Sequence, residues 1–132
     1  MNPSLTIIIP VLNEARILPA RLEALQFARC RDVELIVVDG GSADGSLEIS
    51  HALCDRTLKS PAGRARQMNE GARHASTEWL LFLHADTRLE GEAFEALLEA
   101  LSGEPDWGWF DVRIEGKHPL LSLTAAMMNA RA

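Results

Sequence analysis

The chain has 132 residues, of which 47% are hydrophobic and 24% charged, and a formal net charge of −6. That composition is globular rather than disordered, and the length suits one domain spanning 1–132 rather than two ordinary ones. The acidic balance argues against broad nucleic-acid binding, and apolar runs such as "TIII" and "WLLFL" fall far short of the roughly 18 residues a membrane span needs.

The start "MNPSLTIII" lacks the basic opening and small-residue cleavage site of a secretory signal, so the expected location is cytoplasmic, at most peripheral to a membrane. Cys30 and Cys54 lie in expected helical segments without metal spacing, which favours two reduced thiols over a disulfide.

In chain order, "LTIIIP" is a continuous apolar run closed by proline, the pattern of a strand buried on both faces of a parallel sheet. Leu18, Leu22, Leu25 and Ala28 then recur at helical spacing, with Pro19 tolerable in a first turn. A second strand is expected over Val33 to Val38, followed by "DGGSADGS" and a helix from Leu47 to Leu53. A short third strand falls at Arg56 to Leu58. The turn "SPAG" then leads into a helix carrying Ala65, Met68, Ala72 and Ala75. "EWLLFLHAD" reads as a fourth buried strand, and Phe94, Leu97, Leu98 and Leu101 define a helix ended by "SGEP". "WFDVRIEG" alternates as a half-exposed strand, and Pro119 to Ala132 is an apolar helix candidate without a polar finish.

Alternating strands and helices of these lengths predict an α/β fold, an open, mostly parallel sheet with helices on both faces. Ligands of such sheets bind beyond the carboxyl ends of the strands. The polar stretches "PVLNE", "DGGSADGS" and "HADTR" follow three of the strands and so meet at that edge.

Each stretch admits two roles. Asp39 ends a strand, where it either accepts hydrogen bonds from a nucleobase or ribose or caps the turn through Gly41 and Ser42. Glu14 either holds a ribose or base or sits at a helix amino terminus for its dipole. In "AGRARQMNEGA" an arginine in the first turn of the helix either grips a diphosphate or, with Arg64, Arg66 and Arg73 together, belongs to a solvated face. His84 and Asp86, two apart on an extended segment, point the same way and can share one ion. Imidazole with carboxylate suits a borderline divalent metal such as manganese. The other role is a His packed on the sheet with an Asp capping the turn at Thr87.

No G-x-G-x-x-G, G-x-x-x-x-G-K-[ST] or G-x-S-x-G occurs, which argues against a dinucleotide-binding loop, a P-loop and a hydrolase elbow. "PVLNEA" likewise contradicts the glycine-rich basic loop of a nucleotidyltransferase.

The ordered set "TIIIPVLNEARIL", "ELIVVDGGSADGS", "GRARQMNEGA" and "WLLFLHADTRL", running from Thr6 to Leu89, resembles the amino-terminal part of family 2 glycosyltransferases. The resemblance implies a GT-A type, Rossmann-like fold, apparently truncated at its carboxyl end. The implied activity is inverting transfer of a sugar from a nucleoside-diphosphate sugar to an acceptor hydroxyl. It further implies that Pro10, Val11, Asn13, Glu14 and Asp39 line the base and ribose pocket, with Arg64, Gln67 and Asn69 beside the nucleotide. Asp86 matches the last aspartate of the Asp-x-Asp motif that binds Mn2+ or Mg2+, and His84 stands where that motif has its first aspartate. No later acidic motif matches the family's general base, and Asp111 and Glu115 are poor substitutes, so no catalytic base is assigned. Family members also continue further, which makes the apolar ending read as an element completed by another segment or by a second copy burying Pro119 to Met128. The rival expectation is a noncatalytic nucleotide-binding or oligomer-forming module.

Overall fold

In the computed structural model, which describes residues 4–111, the first apolar run forms β1 (Leu5–Val11) at the heart of a sheet. Around it come α1 (Leu18–Glu23), α2 (Gln26–Arg29), β2 (Glu34–Asp39), α3 (Ser46–Ser50), β3 (Arg56–Lys59), α4 (Arg64–His74), β4 (Trp79–Phe82) and α5 (Gly91–Ser102). The strands are all parallel, in the order β3-β2-β1-β4, so the α/β sheet expected from the sequence is what forms.

Both faces of the central strands are covered, which is why their sequences are unbroken apolar runs. Leu5, Ile7, Ile9, Leu35 and Val37 point into the larger core with Leu18, Leu22, Leu25, Ala28, Phe94 and Leu98. Ile8, Ile36 and Val38 point the other way, toward Leu58, Ala72 and Ala75.

Three expectations need correcting. The helix through Leu18 and Ala28 is two short pieces. The Gln26 side chain donates to the Leu22 carbonyl at 2.8 Å, which also accepts the Leu25 N–H at 3.0 Å, and to the Leu53 carbonyl at 2.8 Å. Leu18, Leu22, Leu25 and Ala28 nevertheless all reach the core, so the inner face was read correctly. In α4 the fully buried residues are Gln67 and Gly71, with Ala72 partly buried against the sheet and Ala65 exposed; the helix approaches the sheet most closely at the glycine and a committed amide. Finally, β4 is not buried on both faces. Leu80 and Phe82 are 37% and 45% exposed, because β4 is the edge strand among the described residues and α4 lies over β1 and β2.

Residues up to Ser102 form one compact unit. From Gly103 to Asp111 the described residues belong to a second unit, in which the exposed Trp107 and Trp109 rings stack at 5.2 Å. The strand expected through Val112 and Ile114 and the apolar segment Pro119 to Met128, with the self-association built on it, lie outside the described residues. No helix among the described residues is long and apolar enough to cross a membrane. Cys30 and Cys54 are free, and burial pushes the Cys54 thiol up to about 11.

At the amino-terminal end of the sheet a polar knot ties three strands together. Glu34 accepts hydrogen bonds from the Thr6 hydroxyl at 2.7 Å and from the Ser76 N–H and hydroxyl, each at 2.9 Å. Burial alone would raise the Glu34 carboxyl, but these donors and the nearby Arg56 guanidinium outweigh it and hold it below its ordinary range.

Two predictions follow from this packing. A Cβ at Gly71 would overlap Ile8 Cγ2 and lie 3.2 Å from Val38 Cγ2. Helix propensity alone would make Gly71→Ala stabilising by about 1 kcal/mol. Overpacking reverses the sign, and urea denaturation should show a loss of about 1–3 kcal/mol. Because the folded pKa of Glu34 is depressed, its contribution is full above the unfolded value of about 4.3 and is lost as pH falls through the lower folded value. Glu34→Gln should therefore flatten the acid limb of the stability profile, measured by denaturation at a series of pH values.

Candidate functional site

The strand order β3-β2-β1-β4 turns back between β1 and β4, and ligands of open parallel sheets bind beyond the carboxyl ends of the strands near such a reversal. The loops after β1, β2 and β4 border that edge, and the α4 amino terminus follows the β3 loop.

The first two loops are laced together. Asn13 adopts φ 53°, a left-handed conformation that Asn tolerates better than most residues. That turn lets its N–H donate to the Ser42 hydroxyl at 2.9 Å and its side-chain oxygen accept from the Ala43 N–H at 2.8 Å. The Glu14 N–H donates to the Ser46 hydroxyl at 2.9 Å, and the Ala15 N–H to the Asp44 carboxylate at 3.0 Å. The Ser46 hydroxyl, 2.6 Å away, and the Ala15 N–H hold the Asp44 carboxyl below its usual range. Asn13 is thus a loop-positioning residue whose side-chain oxygen is already engaged. The half-buried Glu14 carboxylate has no hydrogen-bond partner among the described residues.

Asp39 uses only half of its carboxylate to cap the turn. One carboxylate oxygen caps the turn, accepting the N–H groups of Gly41 at 3.0 Å and Ser42 at 2.9 Å. The other is buried without a partner, in a residue only 3% exposed. A buried carboxylate oxygen left unsatisfied costs free energy, and a ligand N–H or O–H placed there would recover it.

Gln67 lies under this edge at 4% exposure. Its amide donates to the Val11 carbonyl at 2.8 Å and the Val38 carbonyl at 2.9 Å, bridging the ends of β1 and β2, and its oxygen accepts from the Gly63 N–H at 3.3 Å. A Cβ at Gly40 would sit 2.8 Å from that oxygen, so the glycine makes room for the bridge. Gln67 therefore supports the site from beneath, with its polar atoms spent on the backbone. Val11 is buried and Pro10 half-buried, while Arg64, Arg66 and Asn69 are exposed and make no hydrogen bond or ion pair among the described residues.

After β4, Leu83 and Ala85 turn into the core, leaving the half-buried His84 and the exposed Asp86 on the opposite side. The turn closes through the Thr87 N–H and the His84 carbonyl at 3.0 Å, and the Thr87 hydroxyl donates at 3.5 Å to one Asp86 carboxylate oxygen, leaving the other without a partner among the described residues. Burial, then the Arg64 charge, lower the His84 pKa against the opposing pull of Asp86, favouring the neutral ring that can ligate a metal. No group of three or more His, Cys, Asp or Glu side chains that could hold an ion occurs among the described residues. One imidazole and one carboxylate suit a divalent ion whose other positions are filled by ligand oxygens and water.

Sequence reasoning placed Ser42 in the Asp39 turn but missed its hydroxyl's bond to Asn13, and it missed Asp44, Ser46 and Gly40 as parts of the site. "DGGSADGS" signals only a polar turn, and the partners of these residues lie about thirty positions away along the chain.

The pattern described as Glycosyl transferase family 2 matches residues 6–123. A PGL/p-HBAD biosynthesis glycosyltransferase of Mycobacterium bovis is 39% identical over 109 residues, covering 77% of this chain and 43% of that protein. An uncharacterized glycosyltransferase of Haemophilus influenzae is 31% identical, covering 77% of this chain and 36% of its own. The chain thus spans less than half the length of these curated relatives. Among solved structures, a mannosyltransferase of Pyrobaculum calidifontis in complex with GDP-Man and Mn2+ superposes with a TM-score of 0.64 at 24% identity, over 76% of this chain and 32% of that one. That likeness shows a shared GT-A fold. With four motifs in order along one parallel sheet and the family pattern running through them, the chain belongs to glycosyl transferase family 2.

Proposed function

We propose that this chain forms the donor-binding part of an inverting glycosyltransferase and takes a nucleoside-diphosphate sugar at the carboxyl edge of its sheet. The observation that carries the reading is the buried, unpartnered Asp39 oxygen at the tip of β2. It is an acceptor placed for a base N–H or ribose O–H, while its twin oxygen keeps the surrounding loop rigid. Pro10, Val11 and Glu14 border the same pocket, and Asn13 fixes its wall. As the family resemblance implies, Arg64, in the exposed first turn of α4, and Asn69, in its second turn, would serve the diphosphate side of the nucleotide.

Asp86 and His84 are the residues to hold the divalent ion, Mn2+ or Mg2+. When bound, such an ion neutralises charge developing on the departing diphosphate, as a Lewis acid. In the transfer the acceptor hydroxyl oxygen bonds to the anomeric carbon from the face opposite the diphosphate. The bond from that carbon to the phosphate oxygen breaks, and the nucleoside diphosphate leaves with the electron pair. The acceptor proton passes to a base, for which the described residues offer no assigned group. The acceptor site and the complete activity belong to the length of chain that the relatives have beyond this one.

The test is calorimetry with UDP, GDP and their sugar conjugates, with and without the divalent ion. Asp39→Asn keeps an acceptor oxygen for the Gly41 and Ser42 N–H groups but turns an amide donor toward the ligand. Nucleotide binding should weaken about 10- to 100-fold while stability changes little. Asp86→Ala should remove the enhancement of binding by metal and leave the metal-free affinity in place. Wild-type affinity in Asp39→Asn would sink the donor-site reading. Binding without consumption of any donor would instead favour the noncatalytic module.

A further inference from the structure

His84 is the place where the site departs from an all-carboxylate pair, and the structure shows what that residue is free to do. Its neighbours Leu83 and Ala85 are buried in the core, at 8% and 4% exposure, which leaves His84 and Asp86 outside it, and the Asp86 charge lies near enough to act on the ring. Neither ring nitrogen of His84 has a hydrogen-bond partner among the described residues, although the side chain is half-buried. Half-buried imidazoles are ordinarily engaged by a carbonyl, a carboxylate or water, and this one is left open beside a carboxylate. Arg64 adds a positive charge to the neighbourhood of the ring, and no further acidic or histidine side chain joins the pair into a group of three among the described residues.

We propose that His84 is a specificity-determining ligand that makes the ion site at the end of β4 select Mn2+ over Mg2+. The inference rests on the donor-site reading above and adds to it the identity of the ion. Mg2+ is a hard cation that prefers oxygen ligands and sheds its waters reluctantly, so a site offering one carboxylate and one nitrogen serves it poorly. Mn2+ accepts imidazole alongside carboxylate and phosphate oxygens, and stands above Mg2+ in its affinity for nitrogen. Replacing an acidic group by a neutral ring also removes one negative charge, which takes most from the ion bound mainly by electrostatics. Asp86 then supplies the oxygen common to both ions, and His84 supplies the discrimination.

The experiment measures binding of UDP and GDP to the whole chain by calorimetry at saturating Mn2+ or Mg2+, in the wild type and in His84→Asp. Wild-type affinity should be about tenfold or more tighter with Mn2+. In His84→Asp the two ions should come within about threefold, chiefly through a gain with Mg2+. Pulsed electron paramagnetic resonance of the Mn2+–nucleotide complex should show coupling to an imidazole nitrogen that is lost in His84→Asp and in His84→Ala. Circular dichroism on both variants checks that the fold is retained. Equal wild-type affinity with the two ions, or nitrogen coupling that survives both substitutions, overturns the selectivity while leaving the donor site intact. Absence of nucleotide binding with either ion overturns both.

Discussion

The bridge made by the buried Gln67 amide is the constraint on which the carboxyl edge of the sheet depends. It holds the Val11 and Val38 carbonyls, the last of β1 and the last but one of β2, at 2.8 and 2.9 Å, where the ladder between the two strands is coming to its end. Buried carbonyls at strand ends need partners, and one amide with two hydrogens serves two of them. The arrangement requires α4 to lie against the sheet, which Gly71 allows by leaving space for Ile8, and it requires Gly40 to carry no side chain where the amide passes. Helix, glycines and amide are a single device, and the loops above it inherit their spacing from it.

On that base, the two loops that follow β1 and β2 stiffen each other. Backbone N–H groups of one loop are met by side-chain oxygens of the other, through Ser42, Ser46, Asp44 and Asn13. Most polar atoms at this edge are therefore committed before any ligand arrives. What is left open is informative: a buried Asp39 oxygen, the Glu14 carboxylate, the Arg64 guanidinium, and the His84 and Asp86 pair. A preorganised site needs this division between groups that hold the frame and groups that wait, because ordering the frame at the moment of binding would cost affinity.

Charge divides along the same line. The chain is acidic overall, yet the rim near α4 carries Arg64 and Arg66 and only one carboxylate beside His84. A diphosphate can be accommodated there by local cations and an ion, whatever the net charge elsewhere. The polar knot around Glu34 lies at the opposite end of the strands, so stability and binding draw on separate groups.

The sequence by itself determined the strand and helix order, the parallel sheet and the edge at which function gathers. Those follow from local pattern: unbroken apolar runs in "LTIIIP" and "ELIVV", helical spacing through Leu18, Leu22, Leu25 and Ala28, and turn residues after each strand. It also marked Asp39, His84 and Asp86, since a polar side chain at the tip of an apolar strand stands out. Tertiary structure alone decided what each residue does. Gln67 and Asn13 turn to the backbone, Asp39 divides its two oxygens, Ala65 of α4 is exposed, and β4 shows Leu80 and Phe82 at an edge. Periodicity reports which positions face inward along one element. It carries nothing about partners about thirty residues away, nor about how closely a helix may approach a sheet, and those two quantities fix which polar atoms are spent and which remain for a ligand.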